Sequence, residues 1–81
     1  MITNYLFING GAEVGIDHDS KQYYVNASLL DDSKWDYFTE VSKEQLIEAL
    51  ETKFSWIPDG WDKNLAAEYN KLLEMLKDGE I

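Results

Sequence analysis

Residues 41–54 contain the clearest helix signal in the chain, and this helix constrains how the rest can fold. Ser42 is a good N-cap residue, and the side chain of Gln45 can bond back to the N–H of the cap, which makes a capping box. Val41 and Leu46 stand where a hydrophobic staple would fix the entry of the chain. The apolar positions form one stripe at helical spacing: Leu46, Ile47, Leu50 and Phe54. Such a stripe needs an apolar surface to cover, and the preceding residues can provide one.

The first half of the chain has the residue types of short strands joined by tight turns. We predict strands at about residues 2–8, 12–17, 22–30 and 35–40. The fourth strand is the least defined, since residues 29–38 can also hold a short helix. Strands connected in this way favour an antiparallel β-meander of three or four strands, which can leave one face in water.

The segment Asn9-Gly10-Gly11 is a strong turn signal, and its loop length sets the register of the first two strands. A two-residue loop pairs Phe7 with Ala12. A three-residue loop with a left-handed Gly11 instead gathers the apolar residues on one face: Leu6, Ile8, Ala12, Val14 and Ile16. We predict the longer loop because a slip by one residue would scatter that set. Tyr5 and Phe7 then lie on the other face, over the open space at Gly15.

A second helix is predicted at residues 63–78. Its apolar stripe consists of Leu65, Tyr69, Leu72, Leu73 and Leu76. Asp59 or Asp62 can cap its start, and Gly79 is a C-terminal stop. The 81 residues allow one domain with a modest core. The predicted fold class is therefore α+β: a small antiparallel meander followed by two helices, at about residues 43–54 and 63–78, packed on it.

The charge balance excludes several classes of partner. Sixteen acidic residues against seven lysines give a net charge of −9, and the chain contains no arginine. Binding nucleic acid directly requires cations that displace the counterions of the phosphates, so we expect no direct nucleic-acid binding. A membrane surface of anionic lipid would also repel this protein. The electric field of this net negative charge can steer the protein to a basic partner, or the charge can simply keep a small protein in solution.

Cysteine is absent, which excludes a disulfide framework and a thiolate metal site. Residues 1–8 lack the basic start and the apolar run of a signal peptide. No stretch approaches the roughly 18 apolar residues of a membrane span. The cytosol is therefore the expected compartment.

His18 is the only histidine, and it stands between Asp17 and Asp19. A solvated turn without a pocket is a poor place to tune the pKa of an acid–base dyad, so we expect no catalytic role there. Residues 17–22 begin like a calcium loop, but Gln22 stands where glycine is required and the closing acidic ligand is missing. We therefore predict neither an enzyme nor a site for a cofactor or metal.

The acidic residues between positions 31 and 51 are the strongest candidate for a binding surface. They are Asp31, Asp32, Asp36, Glu40, Glu44, Glu48 and Glu51. Glu44 and Glu48 are i,i+4 neighbours, and like charges at this spacing destabilise a helix by a few tenths of a kcal/mol. A row of carboxylates that is kept despite this repulsion suggests a function. Four helical residues rise about 6 Å along the helix axis, which is within reach of the spacing of about 3.4 Å between phosphates along a nucleic-acid strand. The alternative is an ordinary solvated face.

The aromatic residues allow two interpretations. Trp56 and Trp61 can be anchors for a partner, although a loop of this kind more often folds its rings inward to close the core. The remaining rings considered are expected to be mostly core: Tyr5, Phe7, Tyr23, Tyr24, Trp35 and Tyr37. One sheet and two helices cannot bury every ring, so an aromatic patch on the uncovered face would be a contact or dimer surface.

Small size, strong acidity and the lack of catalytic groups resemble the profile of small inhibitor proteins. Among these are phage proteins that block restriction or CRISPR nucleases by imitating DNA, and bacterial immunity or antitoxin proteins that cap a basic nuclease. The resemblance implies a non-enzymatic inhibitor of a basic nucleic-acid-handling protein, with the seven acidic residues between positions 31 and 51 and the two tryptophans in contact with the partner. The alternative is an assembly protein that homo-oligomerises through an exposed sheet edge or an aromatic patch.

Overall fold

The computed structural model describes residues 1–30, 33, 35, 37–60 and 62–81. Its elements are β1 (Asn4–Ile8), β2 (Gly11–Asp17), β3 (Gln22–Asn26), α1 (Ala27–Leu30), β4 (Phe38–Val41), α2 (Lys43–Thr52) and α3 (Lys63–Asp78). The strands form one antiparallel sheet in the order β1-β2-β3-β4. The predicted α+β fold, an antiparallel meander followed by two long helices, is confirmed.

Both long helices cover the same face of the sheet. Helix α2 contacts β3, α3 contacts β1, and the two helices contact each other. The buried strand residues of this inner face are Leu6, Val14, Ile16, Tyr23 and Val25. They form one core cluster with the buried residues of the two helices and with Phe54 of the loop between them; the helix residues include Leu46, Leu50, Leu65, Tyr69, Leu72 and Leu76. The opposite face of the sheet, which we call the outer face, is covered by neither α2 nor α3.

The turn between β1 and β2 is shorter than predicted. Asn9 and Gly10 have φ angles of 53° and 84°, so both central residues are left-handed, as a two-residue type I′ loop requires. Gly11 is not left-handed but begins β2, and Phe7 pairs with Ala12. The predicted three-residue loop is therefore wrong, because an asparagine followed by glycine satisfies the shorter turn directly.

A β-bulge then restores the core register. The pairing shifts by one residue between Leu6 and Phe7, so that Leu6 lies opposite Val14 and not opposite Glu13. Leu6 and Val14 are both fully buried, whereas Ala12 lies opposite Phe7 on the outer face. The bulge lets the hairpin keep a favourable turn and still bury Leu6, Val14 and Ile16 on the inner face.

The predicted strand at residues 22–30 is wrong beyond Asn26. Ala27–Leu30 forms one helical turn, α1. The Oδ1 atom of Asn26 accepts hydrogen bonds from the backbone N–H of Ser28 at 3.0 Å and from its hydroxyl at 2.8 Å. Such local bonds compete with the strand ladder, so Asn26 ends β3 and starts the turn.

The predicted strand at residues 35–40 also differs from the structure. Strand β4 begins at Phe38 and ends at Val41. Trp35 and Tyr37 lie outside any strand or helix. Of the described residues in the range 29–38, where a short helix was considered, residues 29 and 30 are helical, as the end of α1.

The starts of both long helices follow the predicted caps. Ser42 Oγ accepts from the N–H of Gln45 at 3.1 Å, and Gln45 Oε1 accepts from the N–H of Ser42 at 2.8 Å, which confirms the capping box. Asp62 is the N-cap of α3, whose bounds agree with the predicted residues 63–78. Gly79 ends that helix with a left-handed φ of 81°.

Helix α2 ends at Thr52, two residues before its predicted end. Near this end, the phenol of Tyr69 on α3 donates a buried hydrogen bond of 2.7 Å to the carbonyl of Leu50. Burial, with a smaller contribution from the charge of Glu51, raises the pKa of Tyr69, so the phenol keeps the proton that it donates. The bond satisfies a carbonyl at the helix end and ties α2 to α3.

Candidate interaction surfaces

The solvent side of α2 carries three carboxylates, which we call the acidic row: Glu44, Glu48 and Glu51. All three residues are exposed, whereas Leu46, Ala49 and Leu50 of the same helix are buried. Their i, i+4 and i+7 spacing places them on one side of the helix, with axial rises of about 6 and 4.5 Å. The row stands on a helix whose opposite side is fixed in the core.

Glu51 is the member of the acidic row with a cation beside it. Lys77 Nζ lies 3.4 Å from Glu51 Oε2, and both side chains are about half exposed. Among the described residues, Glu44 and Glu48 form no ion pair. Because an exposed pair of this kind is worth only about 0–1 kcal/mol, the row remains negative and open to a stronger cationic partner.

Of the other acids predicted for this surface, Glu40 is described and is not brought together with the row. Glu40 is exposed and lies beside Tyr24 in the sheet register, on the outer face that the helices leave uncovered. Asp31, Asp32 and Asp36 fall outside the described residues. The described part of the predicted surface is therefore the row on α2.

The outer face of the sheet is aromatic. Ring centroids lie 5.4 Å apart for Tyr5 and Phe7, 6.3 Å for Tyr5 and Phe38, and 6.4 Å for Tyr24 and Phe38. These distances join the four rings in one cluster of tilted pairs. Tyr37 adjoins Phe38 in the lining of one cavity, and we call these five residues the aromatic face.

Gly15 lets other side chains lie close to the outer face. It pairs with Tyr5 on one side and with Tyr24 on the other. A Cβ atom added at Gly15 would lie 3.1 Å from Cδ1 of Ile2 and 3.4 Å from Cζ of Phe38. The space expected above this glycine is thus occupied by an isoleucine and a phenylalanine that rest on its backbone.

The prediction that the strand aromatics are mostly core is wrong for several of them. Tyr23 is buried, but the exposed fraction is 46% for Tyr5, 52% for Phe7, 51% for Tyr37 and 84% for Trp35. The physical reason is the layer arrangement: α2 and α3 share the inner face, so the rings of the outer face contact mainly one another. The aromatic patch considered from the sequence is therefore present.

A recess lies beside this patch. Ala12, Asn26, Tyr37 and Phe38 line a cavity of about 200 Å³. Ala12 is the cross-strand partner of Phe7, whose ring is half exposed. A projecting ring and a recess are thus direct neighbours on the outer face.

The tryptophan loop closes the core through another residue. Ile57 is fully buried and Phe54 is 2% exposed, whereas Trp56 is 47% exposed. The inward folding that we considered for this loop therefore involves Ile57, and Trp56 remains accessible beyond the end of α2. Trp61 lies outside the described residues.

Asp17 makes structural contacts and is buried. Its Oδ2 lies 2.8 Å from the N-terminal ammonium of Met1, and its Oδ1 accepts from the backbone N–H groups of Asp19 and Ser20. The hydrogen bond from this ammonium, together with those from Ser20, lowers the pKa of Asp17 from 3.8 to about 2. These contacts occupy the carboxylate that a dyad of His18 with Asp17 would use. Within the described ranges, no group of three or more potential metal ligands is present.

The chain matches no protein-family model, no curated protein and no solved structure. In the part of the chain that the structure describes, no helix has both the length and the apolar character needed to cross a membrane.

Proposed function

We propose that this protein is a non-enzymatic binding protein that inhibits a basic, nucleic-acid-handling protein by presenting the acidic row of α2 in place of nucleic acid. The proposal rests mainly on the exposure of Glu44 and Glu48, which form no ion pair among the described residues. The class of function is that of phage anti-restriction or anti-CRISPR proteins and of nuclease immunity proteins. The reaction chemistry belongs to the partner, and this chain uses neither a cofactor nor a metal.

A partner built to hold phosphates supplies the cations that this surface lacks. The carboxylates of the row rise about 6 and 4.5 Å along the helix, compared with one phosphate per 3.4 Å of a nucleic-acid strand. Lysine and arginine side chains in a groove can span such a difference, since their stems are long and flexible. The net charge of −9 also steers the protein toward a positive surface before contact.

The acidic row is held on a rigid element. The capping box fixes the start of α2, and the hydrogen bond from Tyr69 to Leu50 holds the region of its end. Leu46 and Leu50 anchor the buried side of the helix. Because the row is already ordered, binding requires little further loss of conformational entropy.

Trp56 supplies an apolar contact close to the row in sequence. It lies four residues after the end of α2, and 47% of its surface is exposed. Tryptophan is enriched among the residues that dominate binding energy at interfaces. We therefore assign steering and phosphate mimicry to the carboxylates, and part of the affinity to this ring.

The test is a double charge reversal, Glu44→Lys with Glu48→Lys. The immobilised protein is exposed to host lysate at an ionic strength of about 0.1 M, and bound proteins are eluted with DNA or with about 1 M salt. We expect a basic nucleic-acid-binding protein that both treatments release, and the double variant should retain at most a tenth of it. The eluted partner, once purified, should lose its DNA binding when the wild-type protein is added.

The matched control is Glu68→Lys with Glu74→Lys on α3, where both residues are exposed. This control changes the net charge by the same amount on another helix, so it should weaken capture only slightly. Equal loss in both double variants would contradict a defined docking row, because net charge alone would then explain binding. Capture that is unchanged by the α2 reversal would also refute the proposal.

A further inference from the structure

We propose that two copies of this protein associate through their aromatic faces, as a two-fold symmetric dimer with the helices on the outside. The occupant of the outer face is thus a second copy of the same chain. The proposed interface lies on the outer face of the sheet and does not involve the acidic row.

The first support is the amount and kind of exposed surface. A fully buried aromatic side chain covers about 150–250 Å², so the three half-exposed rings of Tyr5, Phe7 and Tyr37 leave roughly 300 Å² in contact with water. Aromatic residues are the type most enriched at the centres of interfaces. This area is that of the largest apolar patch on a typical small protein, and such a patch is often a contact surface.

The second support is the size of the face. The Cα extents of the molecule are 33 × 32 × 20 Å. In a two-layer fold the short extent runs across the layers, so the sheet and its surroundings present a broad side of about 30 Å in each direction. Each partner in a stable dimer buries about 800 Å². A dimer contact of that size must therefore extend from the aromatic rings onto the polar residues around them.

The third support is the charge distribution. Two copies that each carry −9 repel one another, so contact is favoured where charge is least. The acids on the four strands are Glu13, which lies at the bulge of β2, and Asp17 and Glu40, which lie on the outer face. Asp17 is already paired with the ammonium of Met1. The helix side, by contrast, presents the three carboxylates of the acidic row.

The geometry of the face is self-complementary. The ring of Phe7 projects beside the recess of about 200 Å³ that Ala12, Asn26, Tyr37 and Phe38 line. Because Phe7 and Ala12 are directly paired, ring and recess lie next to each other. A two-fold axis between them brings each Phe7 to the recess of the other copy, which is the reciprocal contact that an isologous interface requires.

Sedimentation equilibrium tests the dimer in solution. We expect a mass of twice the 9.4 kDa of one chain, and Phe7→Ala should weaken association at least tenfold. Association should strengthen when the ionic strength rises from about 0.01 M to about 1 M, because salt screens the repulsion between the two copies. A wild-type chain that stays monomeric up to about 0.1 mM, where a micromolar dimer would be saturated, overturns the inference. A dimer that Phe7→Ala leaves intact also overturns it.

A thiol placed at the proposed axis gives a second, independent measurement. The chain has no cysteine, so Ala12→Cys introduces a unique thiol between Phe7 and the recess while the ring of Phe7 is kept, and mild oxidation should link two copies through it. Trp56→Cys is the control: this side chain is about half exposed but lies beyond α2, and the variant should remain largely unlinked. Circular dichroism verifies that both variants are folded. Equal linking of both variants would indicate random collision and refute the proposed face.

The salt response distinguishes this dimer from the proposed inhibitory function. Capture of a basic partner weakens as salt rises, whereas the dimer strengthens. The double variant Glu44→Lys with Glu48→Lys should lose the partner and remain dimeric. Loss of dimerisation in that variant would contradict the location of the interface on the outer face.

Discussion

The two broad sides of this molecule differ in the physical force available to each. The helix side carries the acidic row, whose influence extends through water and is reduced by salt. The sheet side carries tilted aromatic rings, whose contact removes apolar surface from water and is not reduced by salt. Two helices suffice to cover one face of a four-stranded sheet, and 81 residues provide no third layer. The uncovered face of this small fold can therefore be used for binding without exposing the core.

The largest expected effect separates the two faces of one strand. Leu6 is fully buried on the inner face, and its neighbour Phe7 is 52% exposed on the outer face. Leu6→Ala should lower the free energy of unfolding by about 2–5 kcal/mol, because it leaves a cavity in the core. Phe7→Ala should lower the free energy of unfolding of the monomer by about 1 kcal/mol, mainly through the lost contact with the ring of Tyr5.

Urea unfolding at low protein concentration measures both variants in the monomeric state. Equal losses for Leu6→Ala and Phe7→Ala would show that the outer face is a second core, and the distinction between the two sides would fail. A Phe7→Ala variant that is less stable only at high protein concentration would instead show the contribution of the dimer.

A smaller effect, seen at acidic and at alkaline pH, concerns the ion pair between Asp17 and the ammonium of Met1 on the outer face. The folded-state pKa of Asp17 is about 2, below its ordinary value of 3.8, because the ammonium of Met1 and the backbone of Ser20 bond to the carboxylate. The stabilisation is therefore fully present above pH 3.8 and is lost as the pH falls through about 2. The same pair raises the pKa of the ammonium, so its contribution also disappears as the pH rises beyond 8.0.

Asp17→Asn tests this pH dependence, since the amide can still accept the backbone bonds of the turn but cannot pair with the ammonium. The difference in unfolding free energy between wild type and variant should be constant at neutral pH and shrink between pH 4 and 2. Asp19→Asn, which alters an exposed neighbour, is the control. Parallel profiles for the wild type and Asp17→Asn would show that the pair contributes nothing to stability.

The helices could be predicted because their signals are local. Ser42 with Gln45, and Asp62 with Gly79, are caps that act within one turn of the chain, and the structure shows each of them. The early end of α2 could not be predicted because it involves a tertiary contact: the carbonyl of Leu50 accepts a hydrogen bond from Tyr69 of another helix. A sequence pattern of helical period contains no information about such a distant donor.

The hairpin and the outer face show where local reasoning fails. The turn residues favour one register and the apolar pattern favours another, and only a bulge opposite Leu6 and Phe7 satisfies both. The exposure of Tyr5 and Phe7 depends on which face of the sheet the two helices pack against, and the sequence of neither helix specifies that face. For the acidic row, the spacing of the carboxylates was readable, but the pairing of Glu51 with Lys77 required the packing of α2 on α3.

The smallest expected effect tests whether the acidic row is retained for use or for stability. Glu48→Lys removes the i,i+4 repulsion with Glu44 and replaces it with an attraction, and the new lysine also stands three residues before Glu51. We expect the free energy of unfolding to rise by about 0.5 kcal/mol, while capture of a basic partner falls sharply. Thermal denaturation and the capture assay, performed on the same preparation, measure the two changes.

The intermediate variant Glu48→Gln separates the contributions, because it removes the repulsion without adding a cation. It should gain a few tenths of a kcal/mol in stability and lose less of the partner than Glu48→Lys. A functional row requires that these variants become more stable and bind the partner less well, because the native carboxylates then serve binding while they destabilise the helix that carries them. If Glu48→Lys were instead less stable and bound its partner normally, the row would be a stabilising feature of α2. The helix side would then not be a binding surface, and the aromatic face alone would remain as one.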